Sequence, residues 1–318
     1  LYETGGPEVL RFEDSDPGAP GPGWVRVRHT AIGLNYIDTY HRTGLYPLPL
    51  PSGLGLEAAG VVEALGDEVT RWKVGDRVAY ATGPVGAYSQ AANLPADRIV
   101  AVPDSVSDEL AAAMMLKGMT AWYLLRRTRV LKAGETILFH AAAGGVGLIA
   151  CQWAKHLGAT VIGTVGSDAK AELARANGCD HVIVYTREDF ARAVRKLTGG
   201  AGVPVVYDSV GKSTFDGSLD CLAPLGLMVS FGNASGPPPP VELGMLALRG
   251  SLFVTRPTLM TYTATEEDLR EAARALFEVV ASGAVKIEVR QRYALADAAR
   301  AHRDLEARNT TGASVLIP

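Results

Sequence analysis

Cysteine is scarce in this chain: Cys151, Cys179 and Cys221 are the only three among 318 residues. They are odd in number, far apart and form no CxxC pair. That argues against a disulfide framework and fits a reduced, cytoplasmic protein with three small buried thiols. An excess of charge of one sign is missing too. Lys and Arg number 31 against 34 Asp and Glu, a formal net charge of −3, whereas a binder of nucleic-acid phosphates is usually clearly basic. No uninterrupted apolar run of roughly 18 residues exists, so no segment is expected to cross a membrane. No signal-peptide pattern opens the chain. The opening "LYETGGPEVLRFE" reads as entering partway into a strand, which predicts that a few native residues precede it. Solenoid repeats are absent, and the only low-complexity piece, Pro237 to Pro240, reads as a stiff loop.

What is present is a large apolar fraction, 47%, in a chain long enough for about two domains. Two textures divide it. Residues 1–112 carry short β-branched runs between Gly and Pro: "GWVRVRHTAIG", "AAGVVEALG", "GDRVAYA" and "GAYSQAANLP". These predict a curved, mostly antiparallel β unit. From 113 onward apolar strands alternate with helical patterns. The strands are "TILFHA", "TVIGTV", "HVIVY", "VVYDSVG", "GLMVSFG" and "GSLFVTRP", and six of them with helical crossovers predict a doubly wound parallel sheet, an α/β fold. A long helix is expected at 265–282, with Thr265 as N-cap, acids in its first turn and Gly283 at its end. The final "GASVLIP" is expected to return to the first domain, because another parallel strand would make a seventh. The expected domains are therefore 1–112 with 286–318, and 113–285.

The stretch "FHAAAGGVGLIACQWAKHLGATVIGTVGSDAK" carries the chemistry. Gly144 and Gly147 fill the second and third positions of a dinucleotide-binding glycine fingerprint, with Gly145 between them. Ala142 stands where the first glycine normally is. The loop follows a strand and opens a helix, so backbone N–H groups at the helix N-terminus face a pyrophosphate. The acidic residue that should end the second strand is missing: its place is Val165, followed by Gly166 and Ser167. A carboxylate there binds the ribose hydroxyls of NADH and repels a 2′-phosphate. Without it, Lys170 can supply positive charge and Ser167 a hydrogen bond, which favours NADPH. Asp168 opposes this unless it serves as a helix cap.

Taken with "GGPEVL", "AIGLNYIDTYHRTGLYP", "PSGLGLEAAGVV", "LKGMTAWYLL", "HAAAGGVGLIACQWAKHLGA" and "GLMVSFGNASG", these segments make the chain recognisable. It resembles, end to end, the medium-chain dehydrogenase/reductase superfamily, and within it the zinc-free NADPH:quinone oxidoreductases related to zeta-crystallin. The resemblance implies a Rossmann domain beside a GroES-like, mostly antiparallel catalytic domain. Zinc alcohol dehydrogenases of the superfamily place a cysteine where this chain has Asn35, a histidine where it has Leu56 (before Glu57), and usually a cysteine where it has Lys117. None of these is a usual zinc ligand, and the four-cysteine structural lobe is missing, so a zinc-independent reaction is expected. His29, His41, His140 and the other histidines are scattered and read as ordinary surface or core residues.

The resemblance also implies roles for individual residues. Asn35, Tyr40 and Tyr46 line the substrate cleft, the first two hydrogen-bonding cofactor or quinone oxygen. Thr120 and Tyr123 lie near the nicotinamide, and Gly145 and Val146 cover the pyrophosphate. Lys170, Tyr185 and Arg308 surround the 2′-phosphate, Arg308 tying the two domains together through the cofactor. Phe231, Gly232 and Asn233 follow the fifth strand at its carboxyl edge, and Arg256 reaches the cleft or forms a structural salt bridge. The edge strand near 250–256 pairs across a two-fold axis in a homodimer.

Without a metal to polarise an oxygen, reducing an acceptor that takes hydride readily is easier than oxidising an alcohol. Quinones are such acceptors, since reduction gains aromaticity. Two alternatives stand beside NADPH-dependent quinone reduction. One keeps the cofactor and reduces activated C=C bonds in enones, alkenals or enoyl thioesters. The other is a non-catalytic, NADPH- or RNA-binding crystallin-like protein; the cofactor loop and the acidic net charge oppose it.

Overall fold

The computed structural model describes residues 1–318 and divides them into two compact units. The first unit comprises Leu1–Met119, Thr263–Ala281 and Ile287–Pro318. Its frame is a seven-stranded sheet built on β1 (Trp24–Leu34). Antiparallel partners of β1 are β2 (Ala58–Leu65), β4 (Ala91–Pro95) and β13 (Ala313–Ile317). Beyond β2 come β3 (Arg77–Tyr80) and the short β5 (Val100–Ala101), while β12 (Val289–Ala294) lies parallel to β13. Burial alternates along the start of β1, with Val25 and Val27 fully buried and Arg26 and Arg28 turned outward, as a period of two requires. Val25, Val27, Ile32, Val62, Val78, Leu94 and Leu316 form the core beneath it. The C-terminal segment thus returns to this sheet, as its sequence suggests. The opening thirteen residues, expected to begin in a strand, hold only a 3-10 turn at Pro7–Val9. Pro7 has no N–H to give a ladder and its fixed φ favours the turn.

Four helices complete this unit: α1 (Tyr36–Thr43), α2 (Asp108–Tyr123), which runs on into the second unit, α9 (Glu266–Ala281) and α10 (Ala298–Glu306). Thr265 Oγ1 accepts the Asp268 N–H (3.1 Å) at the start of α9, and Gly283 follows its end with φ +76°. α9 belongs to the first unit, although its sequence pattern groups it with the rest of 113–285. The reason is local. The Arg98 guanidinium donates to the carbonyls of Thr263 and Ala264, and Leu276 fills the space above Gly118, where a Cβ would come within 2.4 Å of its side chain.

The second unit, Thr120–Tyr262 with Ser282–Lys286, holds six parallel strands. They are β6 (Thr136–Phe139), β7 (Thr160–Val165), β8 (His181–Val184), β9 (Val203–Asp208), β10 (Leu222–Ser230) and β11 (Phe253–Thr255). Their order is β11-β10-β9-β6-β7-β8, with Phe139 in register with both Gly163 and Tyr207. This is the doubly wound Rossmann order, and its switch point falls between β6 and β9. The connecting helices are α3 (Gly145–His156), α4 (Asp168–Ala176), α5 (Phe190–Leu197) and α6 (Phe215–Asp220), with the short α7 (Leu243–Leu248) and α8 (Leu259–Tyr262) near the far edge. Leu138, Ile162, Val206, Phe215 and Met228 lie at the centre of its core. The cysteines are all free and buried.

Candidate active site

The glycine loop joins β6 to α3 at the switch point. Gly144 is the N-cap of α3 and no side chain caps the helix. The first-turn amides at Gly145 and Val146 therefore face outward at the positive end of the helix dipole, where a phosphate is favoured. At Gly147 a Cβ would lie 2.4 Å from the Ala141 carbonyl oxygen, so only glycine fits the close turn. Ala141 itself sits at φ +53°, in the left-handed region. Ala142, in place of the first glycine, is accommodated from below. A Cβ at Gly163 of β7 would come within 2.7 Å of the Ala142 methyl, so the missing side chain on one strand makes room for the extra one on the loop.

At the carboxyl edge of β7 the structure brings Gly166, Ser167, Lys170 and Tyr185 together. Ser167, not Asp168, is the N-cap of α4, accepting the Lys170 N–H at 3.4 Å. Asp168 instead pairs with Arg187, a cation that the sequence reading did not single out. The lone carboxylate at this edge is thus matched by a guanidinium. A Cβ on Gly166 would stand 2.8 Å from the Tyr185 hydroxyl, so glycine lets the phenol lie against the strand end. The residues fit a phosphorylated dinucleotide: uncapped amides, a glycine cradle, and a strand end free of an unpaired acid.

Elsewhere in this unit Tyr123 is buried and stacks on Tyr262, the rings 4.7 Å apart and 7° from parallel. Thr120 is buried beside it in α2. After β10, Phe231 donates its N–H to the Asp208 carbonyl and its ring meets that of Phe139. Arg256 holds this loop, donating to the carbonyls of Ser230 (2.9 Å) and Gly232 (3.0 Å). With its amide oriented to satisfy both neighbours, Asn233 also accepts from Arg256.

In the first unit Asn35 precedes α1, Tyr40 and Tyr46 meet edge to face at 5.1 Å, and the Tyr36 ring lies tilted 5.5 Å from that of Tyr40. Arg308 belongs to this unit, exposed just beyond α10 at φ +59°. The three positions of the zinc comparison converge here. Glu57 is fully buried and accepts three hydrogen bonds. Its Oε2 accepts from Asn35 Nδ2 (2.7 Å) and Lys117 Nζ (3.2 Å), and its Oε1 from the Leu116 N–H (2.7 Å). Gly33 leaves the room for it, since a Cβ there would lie 2.1 Å from Oε2. These side chains do not fit a zinc ion. An amide and a leucine occupy two ligand positions, and an ammonium at the third repels a divalent cation.

Beside this cluster lies a buried chain of donors that the sequence did not reveal. Arg42 donates to His302 Nδ1 (3.0 Å), and the other ring nitrogen lies 3.0 Å from the Tyr88 hydroxyl. Tyr88 donates in turn to Asp38 Oδ2 (2.9 Å), which also accepts the Asn35 N–H (2.8 Å). Each group points its proton at the next, so the imidazole carries hydrogen on Nε2 and the bonds reinforce one another. Burial, followed by the charge of Arg42, holds His302 neutral, its pKa down to about 3. Asp38 is fully buried and its Oδ1 has no partner. Burial pushes its carboxyl up to about 7, against the pull of its two donors and of Lys117. No spacing signals this chain, in which the bonded pair Arg42 and His302 lie 260 residues apart.

Comparison with known proteins agrees with this geometry. The pattern for an alcohol dehydrogenase GroES-like domain matches residues 21–104, and that for a zinc-binding dehydrogenase matches residues 145–278. A quinone oxidoreductase of Pseudomonas aeruginosa is 62% identical, over 99% of this chain and 97% of its own length. A 2-haloacrylate reductase of a Burkholderia species is 48% identical over 100% of this chain and 98% of its own. The crystal structure of Escherichia coli quinone oxidoreductase complexed with NADPH superposes with a TM-score of 0.98 at 53% identity, covering 100% of this chain and 98% of that one. The chain belongs to the quinone oxidoreductase family of the medium-chain dehydrogenase/reductase superfamily.

Proposed function

We propose that this protein reduces quinones with NADPH and without a metal. The observation that carries the cofactor choice is the end of β7, where Val165, Gly166 and Ser167 replace the ribose-binding acid and Lys170 and Tyr185 stand alongside. The loop at Gly144, Gly145, Val146 and Gly147 takes the pyrophosphate. Thr120, Tyr123, Phe231, Gly232 and Asn233 flank the nicotinamide half. Bound NADPH supplies a hydride from nicotinamide C4. Asn35, Tyr40 and Tyr46 belong to the acceptor, and the apolar faces of the two tyrosines suit a flat ring. The quinone assignment is supported by the names of the relatives at 53–62% identity.

The 48% identity to a 2-haloacrylate reductase favours one second reading, reduction of an activated C=C bond by the same cofactor. NADPH consumption with 1,4-benzoquinone, 9,10-phenanthrenequinone, an alkenal, an enoyl thioester and 2-chloroacrylate separates the two. Quinone turnover alone supports the first reading and C=C reduction alone the second. Retained NADPH binding with no turnover of any acceptor refutes both.

The proposal includes a cytoplasmic homodimer. Three free buried cysteines suit a reducing compartment. The edge strand β11 pairs only with β10, and its own Phe253 is 58% exposed while Leu243 and Leu248 of α7 are 80% and 90% exposed. An unpaired apolar edge of this kind calls for a partner. Sedimentation of the wild type as a dimer, and of F253D as a monomer, is expected; a monomeric wild type refutes the assignment.

A further inference from the structure

We infer that Lys117, anchored by Glu57, binds the carbonyl oxygen of the acceptor and gives it a proton during reduction. The inference deepens the reading of the acceptor site above and rests on it. An ammonium carries three N–H donors. Lys117 uses one of them, on Glu57 Oε2. The side chain is 6% exposed, so its remaining donors lie where water scarcely reaches them. Leaving such donors unmet is costly unless an acceptor arrives. The bond to Glu57, at 3.2 Å, is longer than the usual ~2.7–2.9 Å of a charge-assisted pair, so the ammonium is free to share itself with a second oxygen.

Glu57 is suited to anchoring and unsuited to acid catalysis. It already accepts three hydrogen bonds, from Asn35, Leu116 and Lys117. The Asn35 amide, expected to bind quinone oxygen directly, has one of its N–H donors committed to Glu57, which leaves the neighbouring cation as the stronger donor. An ammonium also strengthens its hold as charge develops. It meets a neutral carbonyl in the ground state and an oxyanion after hydride addition, the differential binding that lowers a barrier.

The step balances. Hydride from NADPH would form an O–H bond at one quinone oxygen as the nicotinamide C4–H bond broke, oxidising the nicotinamide and leaving the other oxygen as the hydroquinone anion. That oxygen takes a proton from Nζ, the O–H bond forming as an N–H bond breaks, and the Lys117 amine regains a proton from water that enters once the hydroquinone has left.

The test uses 4-nitrophenol, whose phenolate is coloured and mimics the product oxyanion. Titrated while bound to the wild-type protein, it is expected to ionise about one pH unit lower than in free solution, a roughly tenfold preference for the phenolate. The variant K117M/E57Q removes both charges together, and K117Q keeps a hydrogen bond to Glu57 while removing the cation. In either variant the shift disappears, and kcat with 1,4-benzoquinone falls about 100-fold. NADPH binding, read by nucleotide fluorescence, stays within about threefold, the scatter of a peripheral change. A bound phenol that ionises as in free solution, no uptake of 4-nitrophenolate by the wild type, or kcat unchanged in a folded variant overturns the inference. If the wild type turns over no quinone, the functional proposal fails instead, and the phenol titration still reports on Lys117.

Discussion

Placing an acid at the end of β7 tests the cofactor assignment directly. The substitution is Gly166→Asp. Its Cβ would meet the Tyr185 hydroxyl at 2.8 Å and the adjoining ring carbon at 3.2 Å, a contact that Gly166→Ala makes as well. The new carboxylate faces the adenosine 2′-phosphate assigned to this edge across a separation taken as ~5 Å. That phosphate carries about −1.5 to −2 charges at neutral pH. With an effective dielectric constant of about 40, each unit of charge at ~5 Å is worth about 1.7 kcal/mol, so the repulsion is about 3 kcal/mol. NADH lacks the phosphate and feels none of it. The ratio of kcat/KM for NADPH to that for NADH should therefore fall by about 100-fold, and less at high salt, where the repulsion is screened. Gly166→Ala adds the Cβ without the charge and should change the ratio by less than about threefold. If the acid leaves the ratio where it was, or the alanine moves it as far as the acid does, the electrostatic account of this edge is wrong.

The buried carboxyl of Asp38 predicts a pH effect. Its pKa is raised from 3.8 to about 7 by burial, with Tyr88, Lys117 and Glu57 as its charged or ionisable neighbours. The folded protein keeps a proton there that the unfolded chain releases, so the stabilisation is full below pH ~4 and is lost as pH rises through ~7. Against D38N, which cannot titrate, the wild type should lose stability between those limits, by up to about 4 kcal/mol. Urea melts at several pH values check this, and a flat or opposite trend refutes it. Gly33→Ala puts a methyl 2.1 Å from Glu57 Oε2 and 2.3 Å from the Ala112 carbonyl oxygen, and should cost about 3 kcal/mol. Gly21→Ala, where a Cβ meets nothing within 4 Å, should cost less than about 0.5 kcal/mol in the same melts.

Much of the fold is legible because its signals are local. Alternating burial marks β1, apolar runs between glycines mark the parallel strands, and Thr265 followed by acids marks the start of α9. Partnerships are less legible. The pattern of α9 says which face is apolar but not that Leu276 will meet Gly118, so its grouping with the first unit could not be read. The phosphate edge was readable from a missing acid, yet Asp168 looked like an obstacle until Arg187, nineteen residues on, was seen to pair with it. The donor chain from Arg42 to Asp38 joins residues on α1, on α10 and before β4, each an unremarkable polar residue in sequence. Lys117 was visible only as the absence of a ligand. That it reaches the buried Glu57 is a fact of packing.

The pairing of Lys117 with Glu57 makes a last prediction about stability. A buried ion pair gains little in net terms, because desolvation cancels most of its attraction. Replacing the pair with neutral groups of similar size is often neutral or stabilising by about 1–4 kcal/mol, whereas removing one partner alone costs about 3–5 kcal/mol. Here the carboxylate is fully buried and the ammonium nearly so. If the pair served only to hold the fold, an apolar or neutral pair would do as well. K117M/E57Q should therefore melt closer to the wild type than K117M does, while losing quinone turnover. The Gln oxygen keeps only one of the bonds from Leu116 and Asn35, and its NH2 faces the other donor, at a cost of about 1–3 kcal/mol. K117M alone strands the Glu57 charge and should melt well below both. The expected pattern is stability partly restored by the second substitution and activity not restored. If the double variant is destabilised by more than about 3 kcal/mol, the pair is structural, and burying a charge at this position needs no chemical reason.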